Sequence, residues 1–181
     1  MDSLPIITRQ ALLDSILLQY SAQLGADFAG YRNHCYRVLN VYLQLARLNH
    51  SDVDENEAAV ALAFHDVGLW TDKTLDYLPP SVLEAEQYLA NCPELDAQQI
   101  LLMISEHHKL SPYPVNQRIE LFRQADLVDF SLGLVRHGVS QAFIRKLKAE
   151  FPNAGFHRRL LQLGLKNLLR HPLSPAPMMK W

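Results

Sequence analysis

The chain has 181 residues, of which 49% are hydrophobic and 20% charged, with only 7 Gly and 10 Pro. That composition excludes disordered, collagen-like and low-complexity sequence, and the length suits one compact domain with a sizeable core. Seventeen basic residues face 19 acidic ones for a net charge of −2, without a block of like charge. This argues against binding a nucleic acid polymer through its phosphates, while a single nucleotide stays open as a ligand. Met1-Asp2-Ser3-Leu4-Pro5 lacks the basic and apolar regions of a signal peptide. The longest apolar run has seven residues, against the roughly 20 needed to span a bilayer. Cys35 and Cys92 have no Cys-x-x-Cys spacing, which supports neither a disulfide framework nor a thiolate zinc site. The expectation is a cytoplasmic protein without a membrane segment.

Leucine (32 residues) outnumbers valine plus isoleucine (17), and apolar residues recur every three or four positions, so the predicted fold is an all-α bundle. An N-terminal helix is expected over 9–24, with Leu12, Leu13, Ile16, Leu17 and Tyr20 on one stripe, interrupted at Gly25-Ala26-Asp27. A second, over 30–48, carries Tyr31, Cys35, Val38, Tyr42 and Leu45, and Asn49-His50-Ser51-Asp52 forms a turn that also supplies helix caps. A third starts near Glu55 and is apolar on every face from Ala58 to Phe64, as suits the centre of a bundle. From Gly68 to Pro80 the pattern predicts a long irregular connection, a candidate functional loop. Helices are expected again over 81–90, 96–108, 115–130, 140–151 and 156–170. The tail, 171–181, carries three prolines and reads as an extended strap or a frayed end. The chain shows no internal repeat and no second-domain boundary.

Polar residues on apolar stripes mark the candidate site, because an unpartnered buried ionisable group is costly. His34 falls between Tyr31 and Val38 on the buried face of its helix. By itself it reads equally as a hydrogen-bonded core histidine. His65-Asp66 closes the apolar helix, where the simple alternative is a histidine complementing the helix dipole and an outward Asp66. Asp126 shares a stripe with Ile119 and Phe122, with Arg123 near enough in sequence for an ion pair. Taken jointly, two imidazoles and two carboxylates on core helices are what a divalent metal requires.

His34, His65-Asp66 about thirty residues on, and Asp126 sixty residues beyond, embedded in Ala63-Phe64-His65-Asp66-Val67-Gly68, resemble the HD-domain superfamily of metal-dependent phosphohydrolases over about 31–130. The resemblance implies that His34, His65, Asp66 and Asp126 are the ligands of the metal, with positions left for water and a substrate oxygen. Members that hold two metals are similar in carrying extra histidines after the His-Asp pair, one near the start of the following helix and others later. Here that segment is Pro79-Pro80-Ser81-Val82, which favours a single metal. His107 and His108 end a helix striped by Ile100, Met103 and Ile104, so at least one ring is expected to face inward and reach substrate. A pair bonded to backbone carbonyls is the alternative. Asp72 and Asp76 are candidate general bases, and Arg32, Arg37, Lys73 and Lys109 candidate phosphate contacts, though each also fits a solvated charge.

A metal held this way lowers the pKa of bound water and polarises a phosphoryl oxygen. Two imidazole ligands favour Mn, Fe, Co, Ni or Zn over Mg. The expected activity is hydrolysis of a small phosphorylated metabolite or nucleotide. The resemblance also admits hydration of a small nitrile or, with two irons, oxygenation; a ligand-binding module without turnover is the third reading.

Overall fold

A computed structural model describes residues 4–180, and these form an all-α bundle. The elements are α1 (Ala11–Gln19), α2 (Ser21–Leu24), a 3₁₀ turn (Gly25–Asp27), α3 (Phe28–Leu48), α4 (Glu55–Phe64), α5 (Gly68–Thr71), α6 (Leu78–Leu89), α7 (Ala97–Glu106), α8 (Gln117–Phe130), α9 (Gln141–Glu150) and α10 (Phe156–Arg170). Among the described residues no helix is long and apolar enough to cross a membrane. Helix capping is largely local: the side chains of Gln10, Asp54, Asp96, Asn116 and Ser140 accept from backbone N–H groups in the first turns of α1, α4, α7, α8 and α9.

Three expectations change in detail. The N-terminal helix expected over 9–24 begins at Ala11 and breaks at Tyr20 into α1 and α2, the Tyr20 N–H donating to the Leu17 carbonyl at 3.1 Å. Asn49 ends α3, but the cap of α4 is Asp54 rather than a residue of the 49–52 turn, because its carboxylate reaches the N–H groups of both Asn56 and Glu57. The segment after Gly68 is not irregular throughout: α5 forms at once and α6 already begins at Leu78, so only 72–77 connects them. Pro79 and Pro80 sit in the first turn of α6, where a missing N–H is tolerated.

The core is layered around α3 and α4. Helix α3 packs along α8, and α4 lies between α1 and α7, with every residue from Glu57 to Phe64 buried. Tyr31 braces the end of α4, its hydroxyl lying 3.2 and 3.1 Å from the carbonyls of Leu62 and Ala63 and accepting from the Asp66 N–H at 3.3 Å. At Gly68 the chain passes so close to the carbonyl of Tyr77 and the ring of Pro80 that a Cβ would not fit. The Gly68 N–H donates to the buried Ser81 hydroxyl at 3.0 Å, tying the chain beyond Asp66 to α6.

The tail forms a strap. After α10 it turns back, Asn167 Nδ2 donating to the carbonyls of Ser174 and Pro175 at 3.0 and 3.1 Å. It ends beside α7: the Leu110 N–H donates to the Lys180 carbonyl at 2.7 Å, and Lys180 Nζ meets Glu106 at 2.9 Å. Trp181, expected to belong to the tail, lies outside the described residues.

Candidate metal centre

Helix α3 contributes His34, the end of α4 contributes His65 and Asp66, and α8 contributes Asp126; all four are buried. His34 Nε2 and His65 Nε2 lie 3.0 Å apart. Asp66 Oδ2 is 3.8 Å from the first and 3.5 Å from the second, and Asp126 Oδ1 is 3.4 and 3.8 Å away. His34, His65 and Asp66 have ligand atoms mutually within 4.8 Å, and Asp126 adjoins this group through the two imidazoles.

The hydrogen bonds at the far side of each ring decide what Nε2 can do. His34 Nδ1 lies 2.7 Å from Asp129 Oδ2, and His65 Nδ1 lies 2.8 Å from the Leu62 carbonyl oxygen. Both partners only accept, so both Nδ1 atoms carry a proton, and each ring when neutral turns an Nε2 lone pair toward the other. Two lone pairs 3.0 Å apart repel unless a proton or a cation lies between them. A metal–nitrogen bond of about 2.0–2.1 Å lets one ion serve both. The donor set therefore fits a metal, and carboxylate- and carbonyl-anchored imidazoles are the usual support for one.

The tertiary packing adds residues that the sequence reading did not include. Asp129 also takes a two-pronged bond from Arg37, with Nε at 2.6 Å and Nη2 at 2.8 Å, while Arg37 Nη1 donates to the Phe151 carbonyl at 3.0 Å. Arg37 thus holds a carboxylate and is not a phosphate contact. The available signal was spacing: Arg37 is three residues from His34, and Asp129 three from Asp126, on the same helix faces. Phe156 stacks on His34 at 4.2 Å between centroids, fixing the ring plane.

His107 and His108 take different places. His107 is buried, its Nδ1 donating to the Ile104 carbonyl at 2.7 Å and its Nε2 lying 3.4 Å from Asp66 Oδ1. Both of those atoms are buried without a hydrogen-bond partner. An orphaned carboxylate oxygen facing an orphaned imidazole nitrogen is unusual enough to require a reason. With His108 they form a second group of ligand atoms mutually within 4.8 Å, overlapping the first at Asp66. The missing histidine at 79–82 therefore does not limit the structure to one ligand group, because His107 and His108 supply imidazoles from the opposite helix. His108 Nε2 is hydrogen-bonded to the Tyr77 hydroxyl, another residue the sequence reading left out.

The remaining candidates are not brought in. Asp72 is exposed and accepts from the Thr71 hydroxyl at 2.7 Å, and Asp76 is exposed. The Lys109 side chain does not line the cavity over the metal group; its backbone carbonyl accepts from Arg123 Nη1 at 3.2 Å. Arg123 pairs with Glu120 at 2.7 Å rather than with Asp126, so the simple ion-pair explanation of Asp126 fails. Arg32 pairs with Asp14 at 2.8 Å, and Lys73 lines a separate surface cleft with Lys166 and Arg170.

Protonation follows this geometry. Burial works against a charged His34, but Asp126 and Asp129 outweigh it and raise the pKa from 6.5 to about 9. Burial, with two neighbouring histidines, lowers His65 to about 4. Burial and His107 lower His108 to about 3. Asp66 and Asp126 are held charged below the usual carboxylate range despite burial, Asp66 chiefly by His65 and Asp126 chiefly by His34. In the ion-free protein the extra proton on His34 thus fills the gap between the two Nε2 atoms, and an incoming ion must displace it. Loading at pH 7.5 should release about one proton per ion, measured by calorimetry in buffers of different ionisation enthalpy. A raised pKa stabilises the ion-free fold fully below pH 6.5 and loses that contribution as pH rises through about 9. His65 and His108 are neutral in both folded and unfolded chains over most of this range and do not oppose the trend. Stabilisation by added ion should therefore grow from pH 6.5 to 9; a flat response would show that His34 is not the displaced acid.

Comparison of the chain with protein families, with curated proteins and with solved structures found no match.

Proposed function

We propose that the chain is a metal-dependent hydrolase of the HD-domain type, in which His34, His65, Asp66 and Asp126 hold a divalent Mn, Fe, Co, Ni or Zn ion. The observation that supports this reading most is the approach of the two Nε2 atoms to 3.0 Å, each ring anchored at Nδ1, with two buried carboxylates beside them. Such an ion, when bound, lowers the pKa of a coordinated water and polarises a substrate oxygen, which suits hydrolysis of a phosphate ester near neutral pH. Asp129 and Arg37 keep His34 in the required tautomer and plane. His108, kept neutral, and Tyr77 line the cavity next to Asp66 and Asp126, where they would hydrogen-bond substrate. A small-molecule substrate in a cytoplasmic setting completes the reading.

A second version has specific support. The orphaned Asp66 Oδ1 and His107 Nε2, together with His108, favour a second ion sharing Asp66 with the first. Elemental analysis of protein purified without chelator separates the versions at about one or about two ions per chain. A panel of phosphate esters assayed with each of the five metals tests the activity; full turnover after complete removal of metal would reject the proposal.

A further inference from the structure

Above the metal group lies a cavity of about 420 Å³ with an unusual wall. Helix α10 presents Leu160, Leu161, Gly164, Leu165 and Leu168 to it, positions that recur every three or four residues and so form one face of the helix. An apolar stripe of this kind normally meets the core. Here it meets space: Leu161 and Leu165 are 63% and 53% exposed although both line the cavity. Phe130, Leu75 and the strap residues Pro175, Ala176 and Met178 extend the same surface. The polar part of the lining is confined to His34, Asp66 and Asp126 and to their neighbours Tyr77, His108 and His157. Among the described residues neither lysine nor arginine lines it.

On the reading that this is a hydrolase, we infer that its substrate is an ester whose non-reacting part is an uncharged apolar chain or ring system, held against α10 and the strap, rather than a nucleotide or sugar phosphate. Three features point to a small molecule as the occupant. The cavity is continuous with the metal group, its volume lies within the range of small-ligand sites, and the strap closes one side of it by backbone hydrogen bonds to His108 and Leu110, just beyond α7. A ribose or a second phosphate would bury hydroxyls and charges against leucine without donors or cations to meet them, whereas an alkyl body removes apolar surface from water on both sides. Gly164 is part of the design: a Cβ there would meet no atom within 4 Å, and in mid-helix glycine is disfavoured relative to alanine, so its presence keeps the cavity wide.

The test uses binding and turnover separately. N-phenyl-1-naphthylamine, an uncharged fluorescent probe, should bind the metal-loaded protein at one saturable site and be displaced by n-octyl phosphate but not by adenosine monophosphate. Gly164→Leu should weaken probe binding at least tenfold, with helicity by circular dichroism and metal content unchanged. Leu165→Lys, at an exposed position that tolerates charge, should weaken it as well. Along n-alkyl phosphates, KM should fall by about fourfold per methylene until the cavity is filled. Absence of saturable binding, many probes per chain (the mark of an open face for lipid or a second copy), probe binding that neither variant weakens, or equal displacement by adenosine monophosphate would overturn the inference. Binding as expected with no ester hydrolysed would leave the apolar site standing and remove the hydrolase reading instead.

Discussion

Asp66→Ala should bring bound metal below about a tenth of the parent level and lower turnover by more than the roughly 10–100-fold typical of losing an outer support of a metal site. The reason is position. Asp66 belongs to both ligand groups, with Oδ2 3.5 Å from His65 Nε2 and Oδ1 3.4 Å from His107 Nε2. Its loss also removes the nearest carboxylate from His65 and His107, so the imidazoles that remain face one another across a site of reduced negative charge. Elemental analysis and a chelator titration read the outcome, with circular dichroism reporting the fold. Parent-level metal in this variant would show that Asp66 only terminates α4 and that the centre lies elsewhere.

Asp129→Ala should damage stability and metal affinity together, although Asp129 is not among the proposed ligands. Arg37 is 3% exposed and relies on Asp129 for two charge-assisted bonds, keeping only backbone carbonyls when the carboxylate is gone. Breaking a buried pair by removing one partner costs about 3–5 kcal/mol. In a chain of this size that lowers the melting temperature by about 10 °C. His34 loses the acceptor at Nδ1 in the same change, and the ion affinity should fall by about 10–100-fold. Asp129→Asn, which keeps one acceptor oxygen and the volume, should recover part of the stability and less of the affinity. A thermal denaturation series with and without added metal separates the two effects. An unchanged melting temperature in Asp129→Ala would mean that Arg37 finds another partner, and unchanged affinity would mean that His34 needs no support.

Part of the 68–80 segment, with Leu75 and Tyr77, and one of the paired histidines, His108, border the cavity. His107 lies behind them against Asp66, and the opposite wall is α10 with the strap, which the sequence reading assigned to the end of the chain without a role.

The all-α class, most helix ranges and the inward direction of His34 and Asp126 were legible in the sequence, because helical periodicity is local: a residue three or four positions from Tyr31 or Phe122 must share its face; His65-Asp66 was marked instead by closing a helix apolar on every side. Helix α10 runs over 156–170 as its leucine spacing predicts. What that stripe faces is not local. Periodicity says that Leu161 and Leu165 lie together, but only the packing of α10 over α3 shows that they border a cavity instead of filling the core. The same limit applies to Asp129 and Arg37, 92 residues apart and joined side chain to side chain. It also applies to His107, whose pairing with Asp66 depends on the angle at which α7 meets the end of α4. Pattern along a chain fixes which way a side chain points from its own helix; which atom it meets is decided by helices that the chain brings alongside from far away in sequence.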